Sequence, residues 1–279
     1  MDCVQVTLNG RQFPSKRRTV AALQSLRESG ENTPIIIHYD FIYIISRYGM
    51  FKDSVQEAIM EEITGLLIYA DSDPNTLGII MHTDWPIKKE FQFTPDKNQF
   101  IVDNYQGSLW DLAKIRNLIT GDMVESSILK FVEDLTKHYE GKYSAKVFLE
   151  NTTKVGPNRE GTLQWILDLF VKHPNLSSVL GVVYDTEHHY AVTGEWLSVD
   201  DIIELNNNIP MIVHLNTVPK EAKPCSGKDR HSETTTNECS VNTKSYYEEF
   251  ACQLDSANIP WVREVKEDAM FREMKDGIN

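Results

Sequence analysis

The sequence predicts an α+β protein of mixed antiparallel hairpins and amphipathic helices, closed by a helical C-terminal tail. Three observations carry that expectation: short β-type runs separated by turn residues, stretches with apolar side chains at spacings of three and four, and a polar segment at 219–245 that divides the chain. The 279 residues, 41% hydrophobic and 10% aromatic, suffice to bury a core and exclude wholesale disorder.

Val4, Val6 and Leu8 alternate with Gln5 and Thr7, Asn9-Gly10 supplies two residues that tolerate positive φ, and Arg11-Gln12-Phe13 returns, so the chain is expected to open on a hairpin. Val20, Leu23 and Leu26 then mark a helix over 17–28, stopped by Ser29-Gly30. A hairpin followed by a helix resembles the opening of ubiquitin-like folds and of BTB domains. Residues 34–46 read as a buried strand running into a helix. Val55, Ala58, Ile59 and Ile63 define an amphipathic helix capped by Asp53 or Ser54 and ended by Gly65. Apolar runs at 66–70 and 77–81 flank turn chemistry at 71–76 and predict a second hairpin, ending at His82 and Trp85. A third is expected from 90–94 and 99–103.

Helices follow over 108–119 and 122–139, then a strand over 145–149 and a helix over 161–172. A further hairpin is expected from 179–183 and 190–196 around Asp185-Thr186-Glu187. The order helix, strand, acidic turn, strand, Trp thus occurs twice, ending at Trp85 and at Trp196. It suggests two related α+β units with an internal boundary near 141–160. A helix over 198–206 capped by Ser198 and a strand over 210–215 complete a main body of 1–218. Residues 219–245 have almost no large apolar side chain and read as a flexible linker. The helical segment 246–279 is expected to dock back through Tyr247, Phe250, Trp261, Val265 and Phe271.

With 28 basic and 41 acidic residues the net charge is −13, which disfavours nucleic acid or an anionic membrane as partner. The first residues lack a secretory signal and no apolar stretch reaches membrane-spanning length, so an intracellular, cytoplasmic protein without a membrane anchor is expected. Cys225, His231, Cys239 and Cys252 lack paired C-x-x-C knuckles, and P-loop, G-x-G-x-x-G, H-E-x-x-H and EF-hand patterns are absent. No metal and no cofactor is expected. Asp185, Glu187, His188 and His189 are metal-capable types, but adjacent residues of a strand point to opposite faces, which speaks against a shared site.

The segment 188–201, with a histidine opening a strand and Trp196, Asp200 and Asp201 following, resembles the His-to-Asp region of papain-like cysteine proteases of the leader and ubiquitin-specific type. The resemblance covers 161–201 and implies His189 as general base, with Asp200 or Asp201 holding its tautomer. The helix starts at Gln106-Gly107-Ser108 and Gly161-Thr162-Leu163 carry no nucleophilic cysteine. The resulting expectation is a protein-binding or regulatory protein, an inactive relative of an enzyme fold, with Trp261 among its binding residues and a protein partner of unstated identity. The alternative is a hydrolase using His189 with Asp200 or Asp201. A second alternative is nucleic-acid binding through Arg11, Lys16, Arg17 and Arg18. The oligomeric state is not encoded.

Overall fold

The computed structural model describes residues 3–7, 16–30, 32–39, 45–85, 119–139, 144–216 and 244–263. Seven strands form one sheet in sequence order: β1 Val4–Thr7, β2 Ile35–His38, β3 Thr76–His82, β4 Lys146–Glu150, β5 Leu180–Asp185, β6 Met211–His214 and β7 Trp261–Val262. Every neighbouring pair is parallel. The amide of Cys3 donates to the Trp261 carbonyl at 2.9 Å, which brings the first strand beside the last and nearly closes the sheet into a barrel. Helices α1 Lys16–Glu28, α2 Asp53–Ser72, α3 Gly121–Tyr139, α4 Leu163–Lys172, α5 Thr186–Thr193, α6 Val199–Asn206 and α7 Lys244–Ser256 fill the crossovers, as parallel strands require. Short 3₁₀ segments at Ile45–Met50 and Pro174–Ser178 lie between them.

This architecture overturns the expected antiparallel α+β fold. Residues 66–70 are not a strand but the last turns of α2, where Leu66, Leu67, Tyr69 and Ala70 are all buried. A helix covered on most sides shows no clean amphipathic stripe, so its end looks like a β run. Residues 190–196, the expected return strand of the later hairpin, belong instead to α5 and the turn after it; Asp185 caps the helix by accepting the His188 amide at 2.7 Å, and Gly194 ends it at φ 79°. Val4–Thr7 pairs parallel with β2. The expected return strand of the opening hairpin, the hairpin at 90–103, residues 108–118 of the helix expected over 108–119 and residues 219–243 of the linker expected over 219–245 lie outside the described residues; Ile119 is not helical and residues 244–245 belong to α7. Helices α3, α4 and α6 and strands β4 and β6 fall within a few residues of their expected bounds.

Two buried faces explain the strand sequences. Cys3, just before β1, and one residue from each later strand, Ile36, Ile80, Phe148, Val183, Ile212 and Val262, form a single apolar cluster lining the barrel interior. The register agrees: Ile80 pairs with Phe148, Phe148 with Gly181, and Val183 with Ile212. Their chain neighbours, including Ile35, Ile37, Ile79, Val147, Leu149, Val182 and Val213, point outward into the core shared with the helices. Strands buried on both faces read as continuous apolar runs. Gly181 makes room for the Phe148 ring, since a Cβ there would lie 2.6 Å from two ring carbons.

Trp261 is a core residue. Its ring is buried on β7 and its indole N–H donates to Asp255 at 3.0 Å, so it offers no exposed binding surface. Phe250 docks into the same core, as expected of the C-terminal segment, although 261–262 is strand and not helix.

Candidate metal centre

The alternation that places Ile36, Ile80, Phe148, Val183 and Ile212 inside the barrel places the residues two positions later inside as well, one step nearer the C-terminal strand ends. Those residues are His38, His82, Glu150, Asp185 and His214. Five apolar strand runs thus each end on a side chain that can bind a proton or a metal, and all five converge. Glu150, Asp185 and His214 are fully buried and His38 is 3% exposed. His188 joins them from the first turn of α5.

Glu150 is the hub. Its Oε2 lies 3.2 Å from His38 Nε2 and 3.6 Å from His82 Nε2; its Oε1 lies 3.2 Å from His214 Nδ1 and 3.5 Å from His188 Nδ1. Burial alone would raise this carboxyl, but the positive potential of His82 and His214, with hydrogen bonds from His214 and His38, holds it well below the usual carboxylate range. Asp185 Oδ2 accepts from Asn216 Nδ2 at 2.7 Å and lies 3.5 Å from His214 Nδ1. Asn151 clamps the backbone of Asp185, its Oδ1 accepting the Asp185 amide at 2.7 Å and its Nδ2 donating to the Asp185 carbonyl at 3.1 Å.

The surroundings fix two ring tautomers. A backbone carbonyl only accepts, so Nδ1 of His38, 3.0 Å from the Tyr39 carbonyl, carries its proton; so does Nδ1 of His188, 2.8 Å from the Asn151 carbonyl. In the neutral His188 ring Nε2 then holds the lone pair, whereas both ring nitrogens of His38 face acceptors, so its contact with Glu150 is a hydrogen bond only when Nε2 also carries a proton. His82 lies between two carboxylates, Nε2 toward Glu150 and Nδ1 3.6 Å from Asp84 Oδ1. Asp84 is buried, accepts from Thr152 at 2.5 Å and pairs with Lys154 at 3.1 Å. Burial opposes its ionisation, but His82, Lys154 and Thr152 hold its carboxyl far below the ordinary value.

Three overlapping donor groups result: His38, His82 and Glu150; Glu150, Asp185 and His214; Asp185, Glu187 and His188. Within each, the donor atoms lie within 4.8 Å of one another. Imidazole nitrogen with carboxylate oxygen is the donor set of zinc and manganese sites, whose neighbouring ligands stand roughly 3.5 Å apart, so modest contraction closes each group on an ion. A ring of imidazoles and carboxylates sunk in a barrel is costly to desolvate, and a divalent cation at its centre offsets that cost. The donors therefore fit metal ions, at a place that no sequence motif marks. Asp185, Glu187 and His188 gather because they open a helix; the objection that neighbours point apart holds only for a strand.

The structure places the other expected site residues elsewhere. His189 follows cluster residue His188 on α5, and its ring packs edge-on against Tyr184 at 5.4 Å. Burial lowers its proton affinity. Asp201 is engaged in the capping box of α6, its carboxylate accepting from the Ser198 amide and hydroxyl at 3.0 and 2.6 Å. Asp200 is exposed in the same turn. Neither aspartate has a described contact with His189, so the His-to-Asp pair does not assemble. Lys16, Arg17 and Arg18 form the first turn of α1; Arg11 lies outside the described residues.

No protein-family model and no curated protein sequence matches the chain. Solved structures do. Endonuclease IV from Thermus thermophilus aligns with TM-score 0.55 and 14% identity, covering 95% of this chain and 92% of that one. The 3-keto-D-glucoside 4-epimerase YcjR from E. coli aligns with TM-score 0.53 and 13% identity over 97% and 95%. A xylose isomerase domain protein from Planctomyces limnophilus aligns with TM-score 0.51 and 12% identity over 98% and 84%. The fold is therefore the parallel TIM-type barrel, and the resemblance to papain-like proteases is overturned, since neither the strand order nor the surroundings of His189 match it. The expectation of an inactive relative rests on that resemblance, which the fold does not support.

Proposed function

We propose that this chain is a divalent-metal-dependent hydrolase that cleaves phosphodiester bonds in nucleic acid, with the metal ions held by His38, His82, Glu150, Asp185, Glu187, His188 and His214. The observation that carries the reading is the sharing of donors. Glu150 belongs to two groups and Asp185 to two, so neighbouring ions would share a bridging carboxylate, the arrangement that in-line displacement at phosphorus uses. When bound, such ions supply an activated water and neutralise charge on the phosphoryl oxygens.

The protein's own contribution is placement. Tyr39 and Asn151 carbonyls hold His38 and His188 with Nδ1 protonated, and Asp84 orients His82. The cluster lies at the C-terminal strand ends, where barrels of this type carry their active sites. With a net charge of −13, a polyanionic substrate would be held locally, at the ions themselves. The endonuclease likeness points the same way. The epimerase likeness names a different reaction, which the turnover test below separates from strand cleavage.

The test is turnover with Zn²⁺ or Mn²⁺ on supercoiled plasmid and duplex oligonucleotides, both intact and carrying backbone or base lesions. Wild-type protein is expected to nick one of these in a metal-dependent way, and Glu150→Gln is expected to lose roughly a thousandfold in rate. Turnover of a keto-sugar with no strand cleavage by the metal-loaded protein would replace the phosphodiester reading.

A further inference from the structure

We propose that Glu62 and the Tyr39 hydroxyl are positioning groups of the metal centre: together they fix the carbonyl that orients His38, and with it the affinity for the ion held by His38, His82 and Glu150. This rests on the metal-binding part of the reading above and not on the choice of substrate. Tyr39 follows His38 at the end of β2, and alternation puts its ring in the outer core with Ile35 and Ile37 while His38 points into the barrel. Its amide donates to the Ile80 carbonyl of β3 at 2.9 Å, and its hydroxyl donates to Glu62 Oε2 on α2 at 2.7 Å. Between these two ties sits its carbonyl, which accepts from His38 Nδ1 at 3.0 Å. With Nδ1 engaged there, the nitrogen that His38 can offer an ion is Nε2, 3.2 Å from Glu150 Oε2.

Stability alone does not account for this pair. Glu62 is 5% exposed and Tyr39 1%, and the neighbours of Glu62 on the buried face of α2 include Ile59, Met60, Ile63 and Leu66. A carboxylate there is costly to desolvate, and an apolar pair of similar shape would pack at least as well. What the polar pair adds is direction: a hydrogen bond at the ring's far end fixes where the ring sits, and so the backbone of the residue whose carbonyl His38 uses. The other imidazole of the same donor group, His82, has a carboxylate facing its second nitrogen directly, Asp84 at 3.6 Å. His38 has one at a single remove. Glu62 belongs to none of the three donor groups, so it acts through Tyr39, and Tyr39 through His38. Partners of this kind, at the second nitrogen of a ligand histidine, are worth roughly 10–100-fold in metal affinity.

The test is a Zn²⁺ titration of chelator-stripped protein in competition with a chromophoric chelator, with thermal unfolding of the stripped protein alongside. Tyr39→Phe combined with Glu62→Leu removes both polar groups and leaves the carbonyl at position 39 in the chain. The stripped double variant is expected to unfold at the wild-type temperature or above, and to bind one ion about tenfold more weakly. In a His38→Ala background the same two substitutions are expected to change zinc affinity no further, because the path ends at His38. Tyr39→Phe alone, smaller by one oxygen atom, is expected to weaken the same ion, and it carries the test should the double variant not fold. Wild-type protein that binds zinc, matched in affinity by these variants, overturns the positioning role while the metal centre stands. An equal loss in the His38→Ala background also overturns it, since the effect would then be one of general packing. Wild-type protein that binds no zinc overturns the metal centre and this role together.

Discussion

Glu150 and Asp73 show how differently two carboxylates are employed. Glu150 is ringed by imidazoles and belongs to the site. Asp73, just after α2, lies where β3 begins and closes the opposite end of the barrel: it accepts from Arg27 Nε at 2.9 Å, from Thr76 at 2.7 Å and from the Asn75 amide at 3.1 Å. Arg27 also donates to the carbonyls of Thr33 and Asn75, so the pair ties α1 to the starts of β2 and β3. Burial opposes ionisation of Asp73, and the bonds from Thr76 and Arg27 outweigh it, lowering its pKa. A carboxyl whose folded pKa is depressed contributes stability that is present above its unfolded value, about 3.9, and lost as pH falls through the folded one. Asp73→Asn should therefore cost about 1–3 kcal/mol at neutral pH and flatten the fall in stability below about pH 4, measured by urea unfolding across pH. An unchanged acid limb would show that the Arg27 clamp is not electrostatic.

At the scale of elements, Gly181 makes a sharp prediction. Gly181→Ala would push its Cβ into the Phe148 ring and to 2.7 Å from the Pro210 carbonyl, and should destabilise by about 1–3 kcal/mol in urea unfolding. Combining it with Phe148→Leu should recover part of that loss, because the clash is with the ring. Strand Leu180–Asp185 also shows what is legible in the sequence. Its apolar run is visible there, as are β6, α3, the Ser198 cap of α6 and the docking of Phe250, because each rests on local spacing or a capping residue. Strand pairing is not legible. A run such as Leu-Gly-Val-Val-Tyr-Asp fits a hairpin arm or a parallel strand, and only its burial on both faces decides between them. The cluster stays hidden for the same reason. His38, His82, Glu150, Asp185 and His214 are spread over more than 170 residues, and no local motif unites them. One signal is present: five apolar runs, each closing on His, Glu or Asp. Read as parallel strands, those ends meet; read as hairpins, they scatter.

At the scale of the whole molecule, the net charge of −13 has to be reconciled with the polyanionic substrate proposed above. No described helix is long and apolar enough to cross a membrane. The charge of −13 counts against indiscriminate binding, so any attraction for phosphate has to be local, at the strand ends where the donor cluster lies. The barrel makes that possible. Alternation fills the lower interior with apolar side chains and reserves the next inward layer for donors, so a rigid core holds them in place. The central claim is that this layer binds more than one divalent ion through shared carboxylates. Metal content answers it most directly: protein stripped with a chelator, reconstituted with Zn²⁺ or Mn²⁺, desalted and measured by plasma mass spectrometry. The account predicts more than one ion per wild-type chain and a marked loss in Glu150→Gln, which breaks two of the three groups at once. Wild-type protein retaining no more metal than Glu150→Gln would contradict it.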